Sequence, residues 1–276
     1  MRKYGKRVNE ILGAGAFGEV YKMDSPSDAD FCTLYPLVAV KKIKHPKRNS
    51  RDEVDILKDL QHKSIVKYLT SFRGRGGSLC IVMEYCDHGT LTSAVREMYT
   101  QEYAVWRFLC QMANALQYLH NQRPPIIHRD LKPDNILGKK DPRNGSIQWK
   151  IADFGIARVL RKNCLGEYYA SSVCGTPVYM APEVLRGRPY STPADLWSLG
   201  AIISFRCNRR HLFDSLGSVE HWTGRRSSLD RTRYSFGFRR LLRYLLCPTP
   251  SLRPTAGEVL QECRKDCRQY PRSQSI

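Results

Sequence analysis

The stretch IIHRDLKPDNIL, Ile126 to Leu137, sets a histidine, an arginine, a lysine and two aspartates between isoleucines and leucines suited to strands. A core strand avoids such groups, because an unpaired buried charge is expensive. A plain surface loop would not need apolar residues at both ends. The combination describes a loop held rigidly by a core so that its polar groups face a ligand. The rest of the chain must say which ligand.

Just downstream, WKIADFG places Asp153 between a hydrophobic strand and a flexible glycine. With Asn135 it offers two oxygen ligands of the kind Mg²⁺ accepts alongside phosphate oxygens. Far upstream, VNEILGAGAFGEVYKM reads as strand, glycine turn, strand, with Gly13, Gly15 and Gly18 in the turn. Alone this is a weak signal, since glycines also serve a tight hairpin. No Gly-Lys-Ser/Thr follows, so it is not a P-loop, and a strand rather than a helix comes next, which fits a dinucleotide fingerprint poorly. LVAVKKI is a third strand, and alternation puts Ala39 and Lys41 on one face, Ala39 lining a pocket and Lys41 reaching into it. A buried lysine needs an anion, and Glu53 on the following helix is a candidate. Phosphate, lysine, Mg²⁺ and a spare carboxylate, Asp130, together describe phosphoryl transfer to a hydroxyl.

The texture of the chain changes along its length. Besides these strands, SRDEVDILKDLQH carries Val54, Leu57 and Leu60 on one helical face with acids expected in its first turn, and SLCIVMEYC reads as a strand. From Leu91 onward helical patterns dominate, in AVWRFLCQMANALQYLH and FRRLLRYLL. Residues 24–36 look like an irregular excursion, and Asn144-Gly145 suggests a hairpin turn. The expected fold class is therefore α+β, with a small sheet-rich lobe ahead of a larger, mainly helical one.

Composition narrows the setting. The chain has 276 residues, 42% of them hydrophobic, which suits one large domain or two packed lobes. MRKYGKRVNE is too polar for a signal peptide, and no apolar run approaches the roughly 20 residues of a membrane span. Ten scattered cysteines without CxxC spacing point to reduced thiols and an intracellular protein, cytoplasmic with the nucleus as the alternative, and argue against a zinc site. The net charge of +19 is spread over KKIKHPKRNSR, RCNRRH and RRSSLDRTRYSFGFRR. No RNA-binding signature accompanies it, which argues against nucleic acid as the partner.

GAGAFGEV, VAVK, HRDLKPDN, DFG and APE occur in the order and approximate spacing of a eukaryotic protein kinase catalytic domain, which the chain resembles over residues 4–267. The resemblance implies a bilobal kinase-like fold. Its small N-lobe, about 4–85, holds an antiparallel sheet plus one helix; a larger helical C-lobe spans about 89–267, and 268–276 form a tail. It implies ATP and Mg²⁺ as cofactors and protein substrates with Ser or Thr acceptors. Gly13, Gly15 and Gly18 resemble the lid over the ATP phosphates, with Leu12 beside them in the nucleotide-binding set. Lys41 is similar to the lysine holding the α- and β-phosphates, paired with Glu53. Asp130 resembles the catalytic base, Lys132 the lysine that steadies the transferring phosphate, and Asn135 and Asp153 the Mg²⁺ ligands. Met83 takes the gatekeeper place, Glu84 to Cys86 the adenine-binding hinge, and Val20, Ala39 and Leu137 would sandwich the ring.

DLKPDN with GTPVYMAPE resembles serine/threonine enzymes, in which Thr176 would contact Asp130 and Lys132. Asp195 resembles the aspartate that anchors the catalytic loop, and Arg253 the arginine that pairs with Glu183. Gly138 stands where an apolar residue is more common, and Cys207 to Tyr234 matches the family poorly. The subfamily has the flavour of mitosis-related, autophagy-related and IκB-type kinases. Pseudokinases, the competing scaffold reading, typically lose the lysine, the base or a metal ligand, whereas Lys41, Glu53, Asp130, Asn135 and Asp153 are all present here. By the resemblance, Ile156 after DFG implies Thr over Ser as acceptor, and Thr90, where kinases selecting basic peptides often carry an acid, together with an Arg-rich C-terminal lobe implies acidic or already phosphorylated substrates. In the activation segment, Ser172, with Ser171 as the alternative, is the expected site of an activating phosphate received by Arg129 and Arg158.

Overall fold

Leu37–Ile43, strand β3, shows how the N-terminal sheet sorts its side chains. Val38 and Val40 join Met23, Cys80 and Val82 in a small cluster on one face, while Ile43 joins the main core on the other and Lys41 is buried near it. That is the period-two alternation expected of a strand buried on both faces. The structure, a computed structural model, describes residues 8–15, 18–25, 34–44, 46, 48–96, 101–208, 229 and 232–267. Most of the 24–36 excursion, most of Cys207–Tyr234, the tip of the glycine turn and the tail lie outside the described residues.

Strands β1 (Val8–Gly15), β2 (Gly18–Asp24), β3, β4 (Tyr68–Arg73) and β5 (Leu79–Glu84) form an antiparallel sheet in the order β1-β2-β3-β5-β4. Strand β4, YLTSFR, was not expected from the sequence; its alternating Tyr68, Thr70 and Phe72 are the signal. Helix α1 (Arg48–Asp59) starts soon after Pro46, so its first turn is Arg48–Arg51 and holds no acid. The expected acids, Asp52 and Glu53, lie a turn further in. There the sequence pattern misplaced the helix start, but Leu57 and Leu60 are buried as its stripe requires.

The C-terminal part is mainly helical. Helix α2 (Glu102–His120) buries nine side chains from Val105 to Leu119. Short strands follow: β6 (Ile126–Ile127), β7 (Ile136–Lys140), β8 (Ile147–Ile151), β9 (Arg158–Val159), β10 (Arg161–Lys162) and β11 (Tyr168–Tyr169). Strands β7 and β8 form the expected hairpin, with Gly145 in the left-handed conformation at φ 67°. Then come α3 (Pro182–Leu185), α4 (Pro193–Asn208), α5 (Phe236–Leu245) and α6 (Ala256–Cys267). Helix α4 is apolar nearly all round, burying Leu196, Trp197, Leu199, Ile202 and Ile203 in the middle of the lobe. One core cluster runs from Ile43 through α1 and β5 to Cys263, so the two lobes share a hydrophobic seam beneath the loops that carry the charges.

Candidate active site

The lysine of β3 meets two carboxylates. Lys41 Nζ is 2.7 Å from Glu53 Oε1 on α1 and 2.7 Å from Asp153 Oδ1 in the loop after β8. Burial pulls the Lys41 pKa down, but the two carboxylates push harder, so the ammonium is held above its ordinary value. Burial likewise opposes ionisation of Asp153, yet Lys41 and the Gly155 backbone N–H keep that carboxyl below its ordinary value. Asp153 adopts φ 59°, a left-handed conformation that turns its side chain back towards Lys41.

The loop from β6 to β7 is held from beneath. The Asp195 carboxylate on α4 accepts the backbone N–H groups of His128 at 3.0 Å and Arg129 at 3.1 Å, and lies 3.0 Å from His120 Nε2. Burial raises the Asp195 pKa, while His120 and the His128 N–H outweigh it, leaving the group below its ordinary value. His128 Nε2–H donates to the Ala152 carbonyl at 3.0 Å and its Nδ1 accepts the Asp130 N–H at 3.3 Å, which fixes one neutral tautomer. Arg129 takes φ 70°, and this kink delivers Asp130 to the surface of the cleft.

Four side chains then converge. Thr176 donates to Asp130 Oδ1 at 2.8 Å, and Lys132 Nζ stands 2.9 Å from Asp130 Oδ2 and 3.1 Å from Thr176 Oγ1. Asn135 Nδ2 donates to the Asp130 carbonyl at 2.8 Å and to Oδ2 at 3.0 Å. The amide nitrogen of Asn135 is thus spent, and its Oδ1 accepts no hydrogen bond among the described residues. Gly175, at φ 113°, lies so close to the Arg129 carbonyl that a Cβ would collide with it.

The residues expected to bind nucleotide lie on the sheet and beside it. Val20 is paired with Lys41, and Ala39 with Met83, in the registers of β2, β3 and β5; Leu137 bridges to Thr90. Ala39 and Met83 are buried, whereas Leu12 is exposed on β1. A Cβ on Gly13 or Gly15 would meet no atom within 4 Å, so packing does not demand glycine there. Gly18 does need it: its φ is 129° and a Cβ would strike the Lys42 carbonyl. Cys86 at the hinge is buried, and that burial pushes its thiol up to about 12.

Glu84 behaves differently from its neighbours in the set. Its side chain turns away from the cleft to meet Lys139 at 2.7 Å, Lys150 at 2.8 Å and the Lys67 backbone N–H at 2.8 Å. Sequence reading missed this cluster. Its signal was a lysine inside the buried strand IQWKI, which had to find an acid. The glycine at 138 also has a local reason: a Cβ would stand 2.9 Å from His88 Cδ2 and 3.2 Å from Ile147 Cγ2, so His88 occupies that space.

In the activation segment, Arg129 donates from Nη1 to Ser172 Oγ at 2.7 Å and from Nε to the Ile156 carbonyl at 2.5 Å. Tyr190 donates to the Ser172 carbonyl at 2.7 Å. Arg158, on β9 opposite Ile127, forms no ion pair among the described residues, so the structure joins Ser172 to Arg129 and not to both arginines. Deeper in the lobe Arg253 forks onto Glu183 at 2.6 and 2.7 Å, as the sequence led one to expect, and it also lies over the Trp197 ring at 5.0 Å.

With this geometry in view, the protein kinase domain family matches residues 7–263. This chain belongs to the protein kinase family. The kinase is 34% identical to mouse serine/threonine-protein kinase Nek5 over 209 residues, which is 75% of this chain and 31% of that protein. It is 39% identical to human serine/threonine-protein kinase ULK1 over 204 residues, 72% of this chain and 19% of that one. Against mouse serine/threonine-protein kinase Nek1 the identity is 32% over 269 residues, 95% of this chain and 21% of the relative. The chain thus spans about a fifth to a third of the length of these curated relatives. No described helix is long and apolar enough to cross a membrane.

Proposed function

We propose that this kinase transfers the γ-phosphoryl group of ATP to Ser or Thr hydroxyls of protein substrates, with Asp130 as the base. The observation that carries the reading is the meeting of Asp130, Lys132, Asn135 and Thr176 within hydrogen-bonding distance. Thr176 and Asn135 hold the Asp130 carboxylate in one orientation, ready to accept the substrate hydroxyl proton. Lys132 supplies positive charge where the phosphoryl group passes from donor to acceptor. Lys41 steadies the α- and β-phosphates, and the open space over Gly13 and Gly15 lets backbone N–H groups approach them. Leu12, Val20, Ala39, Met83 and Leu137 receive the adenine, with the backbone of Glu84 to Cys86 as its hydrogen-bonding edge.

The donor set fits Mg²⁺: Asn135 Oδ1 is uncommitted, and one lysine among two acids leaves Asp153 with charge to share. Asn135 and Asp153 would hold the ion, which when bound offsets phosphate charge. Replacing Asp130 by Asn tests the base. Transfer should slow roughly 10²–10⁴-fold while the nucleotide still binds, and near-normal turnover would remove the assignment. Among the described residues every group whose loss marks a pseudokinase is in place, so the scaffold reading has nothing specific in its favour.

The catalytic domain is taken to span 4–267 and to work in the cytoplasm, with Ile156 favouring Thr over Ser as acceptor. Phosphorylation of Ser172 would convert its single hydrogen bond with Arg129 into charge-assisted ones, tying the segment to the catalytic loop. Phosphatase treatment and Ser172→Ala should each lower activity, whereas full activity in a Ser171/Ser172 double alanine variant would rule this out.

A further inference from the structure

We infer that the Arg186–Gly187–Arg188 turn and the Arg161–Lys162 strand, which border the segment leading to Asp130, form a rim that selects acidic or phosphorylated side chains on the protein substrate. The inference rests on the phosphotransfer reading and adds a substrate class to it. The turn is close to the chemistry. A Cβ on Gly187 would stand 3.8 Å from Val173 Cγ2, and Val173 precedes by three residues the Thr176 that donates to Asp130 at 2.8 Å. Three residues of extended chain span at most about 10 Å. The strand is joined to the same segment. Arg161 is paired with Tyr169 across β10 and β11, and the next residue, Ala170, exchanges backbone hydrogen bonds with Tyr190 at 2.8 and 2.9 Å. A substrate lying in the cleft would therefore pass both pairs of cations.

All four side chains are exposed, and none forms an ion pair among the described residues. Some other exposed cations of the kinase do, Lys44 with Glu19, Lys58 with Asp55 and Arg143 with Asp141 at 2.7 to 2.9 Å, and Lys162 lies 5.3 Å from the Tyr168 ring centroid. The acids near the rim are committed elsewhere. Glu183 is locked to Arg253, and Glu167 accepts from Asn163 at 3.1 Å. The turn is also rigid, because Gly187 N–H donates to Val184 O at 3.0 Å and Arg188 N–H to Glu183 O at 2.9 Å, with Gly187 at φ 66°. A turn held in one conformation keeps two guanidinium groups on the same short stretch, and their planar forks suit carboxylate or phosphate oxygens. The rim is short and borders the segment that carries Thr176, which suits a peptide side chain rather than a long nucleic-acid backbone.

The test uses the intact chain and Thr-acceptor peptides carrying Asp or phosphoserine at single positions on either side of the Thr, with an uncharged peptide as reference. The best anionic peptide should exceed the reference in kcat/KM by roughly tenfold at low salt, and the advantage should shrink as salt screens it. In an Arg186→Glu/Arg188→Glu variant the anionic advantage should vanish while the uncharged peptide stays within about twofold. Arg161→Gln/Lys162→Gln should reduce the advantage in part. Equal use of anionic and uncharged peptides, or an advantage that survives the charge reversal, overturns the inference alone. No transfer to any peptide overturns the phosphotransfer reading and this inference with it. Loss of retention on an RNA oligonucleotide in the reversed variant, with peptide ratios unchanged, would assign the rim to nucleic acid and defeat the proposal.

Discussion

Two buried ionic clusters join the small lobe to the loops of the large one, and they are inversions of each other. At the first, one lysine, Lys41, lies between two carboxylates, Glu53 and Asp153. At the second, one carboxylate, Glu84, lies between two lysines, Lys139 and Lys150. Each is built from a residue of the five-stranded sheet and at least one partner on or just after the β7–β8 hairpin. The difference is the sign of what is left over. The first has an acid in excess and opens on the cleft, so it suits a cation that arrives with phosphate. The second has a base in excess and no part in the proposed chemistry, so it suits a clasp between hinge and hairpin. Similar pairing energies can thus serve chemistry at one end of a cleft and mechanical registration at the other.

The comparison can be broken most directly at Lys41. Lys41→Met should cut phosphate transfer by about 10²-fold or more. It should also destabilise the fold, because Glu53 is left buried without its partner. A variant with near-normal transfer would remove the functional half of the contrast. Glu84→Ala leaves the buried Lys150 ammonium without its counter-ion, with the Lys63 carbonyl at 2.8 Å as a remaining partner, so thermal melts should show a loss of about 3 kcal/mol. Its kcat, however, should stay within roughly tenfold of the parent, since nothing it touches meets the reacting groups. If kcat collapses while stability holds, the two clusters have been assigned the wrong way round.

A subtler effect concerns pH. Burial alone would raise the Glu84 pKa, but Lys150 and Lys139 overcome it and hold the group below its ordinary 4.5. A carboxyl whose folded pKa is depressed contributes stability that is full above the unfolded value and lost as pH falls through the folded one. Stability of the parent should therefore fall more steeply with acid below about pH 4.5 than that of Glu84→Gln. Parallel curves would mean that the clasp adds nothing. The smallest effect belongs to Lys139→Met. That ammonium is partly exposed, with 36% of its side-chain surface in solvent, so its loss should cost about 1 kcal/mol or less.

The first cluster was legible in the sequence and the second was not, for a physical reason. Lys41 stands in a strand at a spacing that puts it on the face of Ala39, and its motif partners recur at recognisable distances along the chain. Glu84, Lys139 and Lys150 are held together only by the closure of the hinge over the β7–β8 hairpin, and no local pattern encodes that approach. The same limit explains Gly138, whose need for glycine arises from His88, fifty residues earlier in the chain. Strand β4 is a different case, since its alternation was present but mixed with Thr and Ser, which weakens the contrast on which period-two reading depends. The start of α1 was misplaced because polar residues continue the helix backwards towards Pro46 without changing the apolar stripe.

The hinge thiol has a consequence for chemical probing. With its pKa pushed up to about 12, Cys86 is ionised at neutral pH to the extent of about one part in 10⁵. Alkylation and oxidation both proceed through the thiolate. An electrophile that reached Cys86 would thus find its sulfur almost wholly protonated. Cys164, exposed at the turn between β10 and β11, has no such protection from solvent. Brief treatment with iodoacetamide followed by peptide mass mapping should mark Cys164 well before Cys86 and leave Cys86 unmodified until the fold opens, which makes the hinge cysteine a built-in reporter of unfolding.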